Sequence, residues 1–268
     1  MQRQIALTLC LLMTLYAVNS FAGSSKPNTS SEKPEYVFNE SFDGFFRSSE
    51  ASKLHSLDLA SIVFNEGTEG SKALKVYYQG FARGSKRIIR TIPLSQATTS
   101  ATLSFAGKFC EGFDFAKGGK LHGFAPENPV TGGTPIKPDG WSARAMWGQN
   151  GQLKTYVYHQ GMKGKYGDTK PAPEFRFEPG RYYHLSYRLT LNQPASESNG
   201  EFSISVNDKL IVEHTGLQFR ASENASTLIH QFMFNTFHGG SSPEWAPRNN
   251  KGDYKRDCAY FDDIRITS

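Results

Sequence analysis

The stretch WSARAMWGQNGQLKTYVYHQ, residues 141–160, holds two alternating runs separated by Asn150-Gly151. On the first run Ser142 and Arg144 are two apart, and on the second Tyr156 and Tyr158 are two apart. A period of two is strand spacing, so each pair points to one face. Two turns can join the runs. A two-residue turn of Asn150-Gly151 sets Gln149 opposite Gln152 and Ser142 opposite His159. A three-residue loop, Gln149-Asn150-Gly151 with Gly151 left-handed, sets Gly148 opposite Gln152. Ser142 then faces Tyr158 and Arg144 faces Tyr156. Directly opposed residues share a face. This second register gathers Ser142, Arg144, Met146, Lys154, Tyr156, Tyr158 and Gln160 on one side. It leaves Ala143, Ala145, Leu153 and Val157 for a core, and this clean separation makes it the preferred register.

The same period recurs along the chain. The clearest runs are 101–110, 181–192, 201–208, 209–214, 229–238 and 258–267. In the second, Leu185, Tyr187, Leu189 and Leu191 alternate with His184, Ser186, Arg188 and Thr190. In the third, Phe202, Ile204 and Val206 alternate with serines. Asn207-Asp208 reads as the turn of a hairpin over 201–214. Helical periodicity is scarce, and 25 Gly and 13 Pro punctuate short strands. The class is therefore all-β, a jelly-roll sandwich of two antiparallel sheets.

The ends of the chain read differently. Arg3, an apolar run from Ile5 to Val18 and Ser20-Phe21-Ala22 form the pattern of a signal peptide over 1–22. Residues 23–35 carry no large apolar side chain and read as a disordered linker, leaving 36–268 as one domain. The expected location is secreted or periplasmic. No later segment approaches about 18 uninterrupted apolar residues, so no membrane contact is expected. Lys plus Arg number 30 against 25 Asp plus Glu; removing Arg3 leaves 29 − 25 = +4. That mild excess is compatible with a polyanionic substrate and equally with ordinary solubility. No basic block suggests nucleic acid. Cys110 and Cys258 remain after export, as one disulfide or as two buried thiols. Nothing has zinc spacing, and neither metal nor cofactor is expected.

A polar sheet face could simply be solvated. Two phenols with a guanidinium across from them suit a groove for a sugar acid better. Just upstream, KGGKLHGF (117–124) sets Lys120 beside Gly118-Gly119, where backbone can approach a ligand closely. The Pro- and Gly-rich segment 123–140 is too polar for a strand, and a loop of that length is functional or mobile.

These motifs, in this order, resemble polysaccharide lyase family 14. They are GGKL, Ser-x-Arg-x-Met-Trp, Tyr-x-Tyr, GRYYHLSYRLTLN, FHGGSSPEWAP and YFDDIRI, over about Phe113 to Ile266. The family contains alginate lyases of molluscs and bacteria and a viral lyase of a glucuronic-acid polymer. The resemblance implies a jelly roll with a concave groove and β-elimination of uronic-acid polymers. It places the family's functional residues on Lys120, Ser142, Arg144, Tyr156 and Tyr158. His122 and His238 depart from the residues expected there and bear on subsite preference. With Lys154, Gln160, Asn235 and Trp245, they complete the expected substrate-binding set.

Such a lyase needs charge neutralisation at the carboxylate, a base at C5 and an acid at the leaving O4. Arg144 suits the first through paired hydrogen bonds, with Ser142 adding a neutral one. Lys120 is the preferred base and Tyr156 or Tyr158 the acid; a tyrosinate base with Lys120 on the carboxylate is the alternative. Neighbouring cations lower the pKa of both. Asp262 or Asp263 could join Glu40 or Asp43 in a calcium site, although capping a turn is the plainer role. A glycosidase would need two carboxylates, which this face does not offer. The remaining rivals are a glucuronan lyase and a non-catalytic carbohydrate-binding module. The expected partner is an acidic polysaccharide, and the expected state a monomer.

Overall fold

The computed structural model describes residues 36–44 and 49–268. The expected signal peptide (1–22) and linker (23–35) lie outside the described residues.

The strands are, in chain order, β1 (Tyr36–Glu40), β2 (Ala60–Val63), β3 (Ala73–Phe81), β4 (Gly84–Ser85), β5 (Ile88–Thr98), β6 (Ser100–Phe109), β7 (Gly118–Ala125), β8 (Ser142–Gly148), β9 (Gln152–Tyr158), β10 (Pro171–Arg176), β11 (Tyr182–Thr190), β12 (Gly200–Val206), β13 (Lys209–Leu217), β14 (Ile229–His238) and β15 (Arg256–Thr267). They form two antiparallel sheets, the expected jelly roll. The larger runs β13-β12-β11-β6-β15-β3-β2, with β1 beside β15 and β4 beside β3. The smaller runs β10-β9-β8-β7-β14-β5. Only Thr99 separates β5 from β6, so the chain changes sheet there almost without a loop.

Alternation fixes what lies between the sheets. Leu185, Tyr187 and Leu189 of β11, Phe202 and Ile204 of β12, and Phe232 and Phe234 of β14 are all buried in one core. The β12–β13 hairpin turns on Asn207 and Asp208, both left-handed at φ 48° and 63°. Positive φ at both central residues matches the right-handed twist of the flanking strands.

The β8–β9 connection takes the three-residue form. Gln149–Gly151 make one 3-10 turn, with Asn150 at φ 56° and Gly151 at φ 73°. A side chain at Gly151 would also meet the Phe177 carbonyl at 2.6 Å. Ser142 pairs with Tyr158, Arg144 with Tyr156 and Met146 with Lys154. Ala143, Ala145, Leu153 and Val157 enter the core.

Strand β7 carries a bulge. Lys120 pairs with Met146, yet Gly123 pairs with Arg144, so β7 takes three steps where β8 takes two. Leu121 therefore sits in the core and His122 is fully buried against Phe234, while Lys120 keeps the outer face. A two-versus-one count of this kind re-aims side chains locally.

Cys110, just past β6, and Cys258 of β15 are joined as a disulfide, with Cα atoms 5.4 Å apart and a separation of 148 positions in sequence. Closing so long a loop removes much denatured-chain entropy. Replacing both cysteines by serine is expected to cost about 2–5 kcal/mol. That would lower the thermal midpoint by roughly 5–15 °C; an unchanged midpoint would show that the bridge contributes nothing.

Candidate active site

The outer face of the smaller sheet is organised by register. One row across the strands reads Lys154 and Met146, Lys120 and Phe237. The next reads Tyr156 and Arg144, Gly123 and Met233. A third holds Tyr158 and Ser142. The five residues expected to act together thus share three adjacent strands and one face.

Lys120 Nζ lies 2.8 Å from Met146 Sδ and 3.3 Å from the centre of the Tyr156 ring. Burial lowers its pKa well below the usual ammonium value, with Arg144, Lys154 and Arg87 adding like-charge repulsion. A ring face attracts an ammonium, but a crowded site with three further cations works against it. Lys120 still keeps partial exposure, so its amine can meet a ligand from solvent. Burial also lowers the pKa of Lys154.

Arg144 is 3% exposed. Its guanidinium carbon is 5.3 Å from the Tyr156 ring centre, and Nε and Nη2 have no hydrogen-bond partner among the described residues. Buried guanidinium donors without partners are costly and rare. Here they form a fork fitted to a carboxylate.

The two phenols share a hydrogen bond of 3.2 Å. The Gly133 N–H donates to the Tyr158 hydroxyl at 2.9 Å. Tyr158 is fully buried, whereas Tyr156 keeps 7% exposure. Burial and the bond to Tyr158 raise the Tyr156 pKa, outweighing Arg144. Tyr156 thus stays protonated at neutral pH and is the phenol nearer solvent.

The Ser142 hydroxyl donates to the Val130 carbonyl at 2.8 Å. Its one proton is therefore spent on the chain, and it offers only lone pairs to anything else; the expected donation to a carboxylate does not fit this geometry. Both Val130 and Gly133 belong to the long segment after β7. That segment is bolted down elsewhere: Gln160 Nε2 donates to Lys137 O at 2.9 Å and to Phe219 O at 3.0 Å. Val130 and Ile136 pack with Met146, Tyr156 and Tyr158 in a small apolar cluster over the outer face.

The family model for polysaccharide lyase 14 matches residues 61–258, well over half of the chain. This chain belongs to that family. No curated protein matches the sequence. Among solved structures, alginate lyase Aly36B superposes with a TM-score of 0.68 at 23% identity, over 86% of this chain and 96% of that one. The marine alginate lyase from Aplysia kurodai gives 0.67 at 20% identity, over 87% and 99%. The endo-β-1,4-glucuronan lyase from the fungus Trichoderma reesei gives 0.59 at 16% identity, over 87% and 96%. At these identities the superpositions show the fold.

Within this polysaccharide lyase, three of the six expected peripheral contacts, His122, His238 and Gln160, fall elsewhere than the groove or perform another task. His122 is fully buried and stacks on Phe234 at 4.2 Å between ring centres, because the β7 bulge turns it inward. His238 follows the inward phase of β14, stacks on Phe113 and shares a 2.7 Å hydrogen bond with the Asp114 carbonyl. Gln160 is the loop clamp described above. The Trp245 ring lies against the Gly239-Gly240 backbone, where a side chain on Gly240 would overlap it. Asn235 and Lys154 do occupy the outer face: Asn235 pairs with Ile89, is 1% exposed, and its Oδ1 has no partner among the described residues. The calcium idea gives way to capping, since Asp262 Oδ2 accepts from the Thr68 N–H at 2.9 Å and the Ser71 hydroxyl at 2.8 Å. The backbone atoms of Val130 and Gly133 were not legible in the sequence beyond the length of their loop.

The two buried histidines make a prediction about acid. Burial pushes His122 from 6.5 to about 3 and His238 from 6.5 to about 4. Depressed pKa values mean that the unfolded chain binds protons first as pH falls. Stability is therefore full above about 6.5 and is lost toward 3 and 4, by up to about 1.4 kcal/mol per pH unit per histidine. His122→Phe, which removes a titrating group from an apolar site, is expected to flatten the fall of the thermal midpoint between about pH 6 and about pH 4. An unaltered slope would place His122 in contact with solvent.

Proposed function

We propose that this polysaccharide lyase cleaves uronic-acid polymers by β-elimination, with mannuronate-rich alginate as the preferred substrate. One observation carries the reading. A lowered-pKa amine, an unsatisfied guanidinium fork and a protonated phenol stand on neighbouring positions of one face. In the reaction, Arg144 binds the carboxylate of the reacting sugar and stabilises the charge that spreads onto it when C5 loses its proton. Lys120, as the neutral amine, takes that proton. The C5 electron pair forms the C4–C5 double bond as the C4–O4 bond breaks, and Tyr156 gives its proton to O4. Tyr158, held by the Gly133 N–H, fixes Tyr156 in place.

The environments of Lys120 and Tyr156 support this assignment over its exchange. A base must be free of its proton and an acid must hold one, and burial drives the two groups in those directions. The solved complex of Aly36B with an alginate tetrasaccharide lends weight to an alginate substrate. Glucuronan carries the same carboxylate beside C5 and is the second polymer to assay. Export through residues 1–22 would bring the enzyme to such a polymer.

Two measurements test the reading. Lys120→Ala should abolish the ultraviolet absorbance of the unsaturated uronate; normal turnover in that variant would remove Lys120 from the mechanism. In the wild type, kcat/KM should rise with pH as the Lys120 ammonium ionises, and should hold into alkaline pH because the Tyr156 proton is retained. A flat profile from about pH 5 to about pH 9 would reject the amine as base.

A further inference from the structure

The row through Lys120 continues one strand beyond those that carry the catalytic groups. Phe237 of β14 pairs with Lys120. On the far side of β14, Thr236 pairs with Ile88, the first residue of β5. Extending that register by one step sets Arg87 opposite Phe237, on the same outer face. The side chain agrees: the Arg87 guanidinium carbon lies 4.6 Å from the Phe237 ring centre.

Arg87 is not a loose surface cation. Its Nη1 donates to Ser85 O at 2.9 Å and to His238 O at 2.7 Å. Its Nη2 donates to Gly240 O at 2.8 Å. Three donors are thus spent on fixing a planar cation against an aromatic ring, while the residue as a whole remains exposed. A guanidinium has five donors, so two are left for a ligand. Most of the entropy of ordering a long side chain has been lost before any ligand arrives.

Along this row positive charge recurs at every second strand position: Lys154 on β9, Lys120 on β7 and Arg87 immediately before β5. Adjacent strands are about 4.8 Å apart, so the charges recur at about 10 Å. A diequatorially (1→4)-linked uronan is a flat ribbon in which each sugar is turned over relative to the last. Each sugar carries one carboxylate and spans about one strand spacing, so a chain that lies across the sheet passes over β5 a few sugars from the reacting unit. We propose that Arg87 builds a carboxylate subsite two strands from Lys120, which receives a second uronate of a ribbon-like polymer lying across the sheet. The proposal rests on the lyase reading for its substrate class. It adds a specific residue and a direction for the chain, with Lys154 and Arg87 flanking the reacting sugar.

Full-length wild type and Arg87→Gln are compared on polymannuronate for turnover, by the absorbance of the new double bond, and for binding, by affinity electrophoresis in gels containing the polymer. Loss of one charged hydrogen-bonding partner is expected to raise KM and weaken binding about tenfold, with kcat within about twofold. Added salt should weaken the wild type more than the variant. Arg87→Lys, which keeps the charge without the three-carbonyl grip, should fall between them. An unchanged KM and unchanged binding overturn the subsite, and so does a fall in kcat that tracks a lowered thermal midpoint without a change in KM. The two readings separate cleanly. Wild type that binds without cleaving, with binding weakened by Arg87→Gln, overturns the lyase and keeps the subsite. Wild type that cleaves while Arg87→Gln binds normally overturns the subsite and keeps the lyase, and absence of both binding and cleavage on polymannuronate and on glucuronan overturns both.

Discussion

One backbone turn decides where the chemistry lies. Asn150 and Gly151 both adopt left-handed conformations, which adds a residue to the β8–β9 connection and sets Ser142 against Tyr158. A two-residue turn would slide β9 by one place, and a one-place slip exchanges the faces of every side chain on a strand. The phenols would then enter the core and Val157 would face the ligand. Glycine suits this position twice over, since it tolerates the positive φ and leaves room for the Phe177 carbonyl.

Given that register, the electrostatics follow from burial first and from crowding second. Lys120 and Arg144 stand on adjacent strands, with Lys154 on the next. Like charges held this close and shielded from water oppose one another, and the amine is the group that can yield by shedding its proton. Arg144 cannot do so. The same packing that lowers the pKa of the amine also lowers that of Arg144, which keeps its charge because a guanidinium starts so high, and it raises the pKa of the neighbouring phenol.

Much of this was readable from the residues. The preferred loop at 149–151 follows from separating Ala143, Ala145, Leu153 and Val157 from their polar neighbours, and the structure has that loop. The alternation in β11 and β12 likewise announces the core. His122 was not readable, because simple alternation from Lys120 puts it on the outer face and only pairing with β8 discloses the bulge. His238 is in phase with Phe232 and Phe234 of its own strand, so strict alternation would have placed it inward. Asp262 caps a turn whose Thr68 is 194 residues away in sequence, a separation that no local pattern spans. Arg87 carries no motif, and its place follows only from the β5–β14 register.

The contacts that seat Ser142 and Tyr158 come from the carbonyl of Val130 and the N–H of Gly133. Main-chain atoms are common to nearly all residues, so selection can alter most side chains of that segment and keep both contacts. Its sequence is free to drift among homologues while its path is held. Aligned by residue identity alone, the segment would look dispensable, although two groups at the heart of the site lean on it.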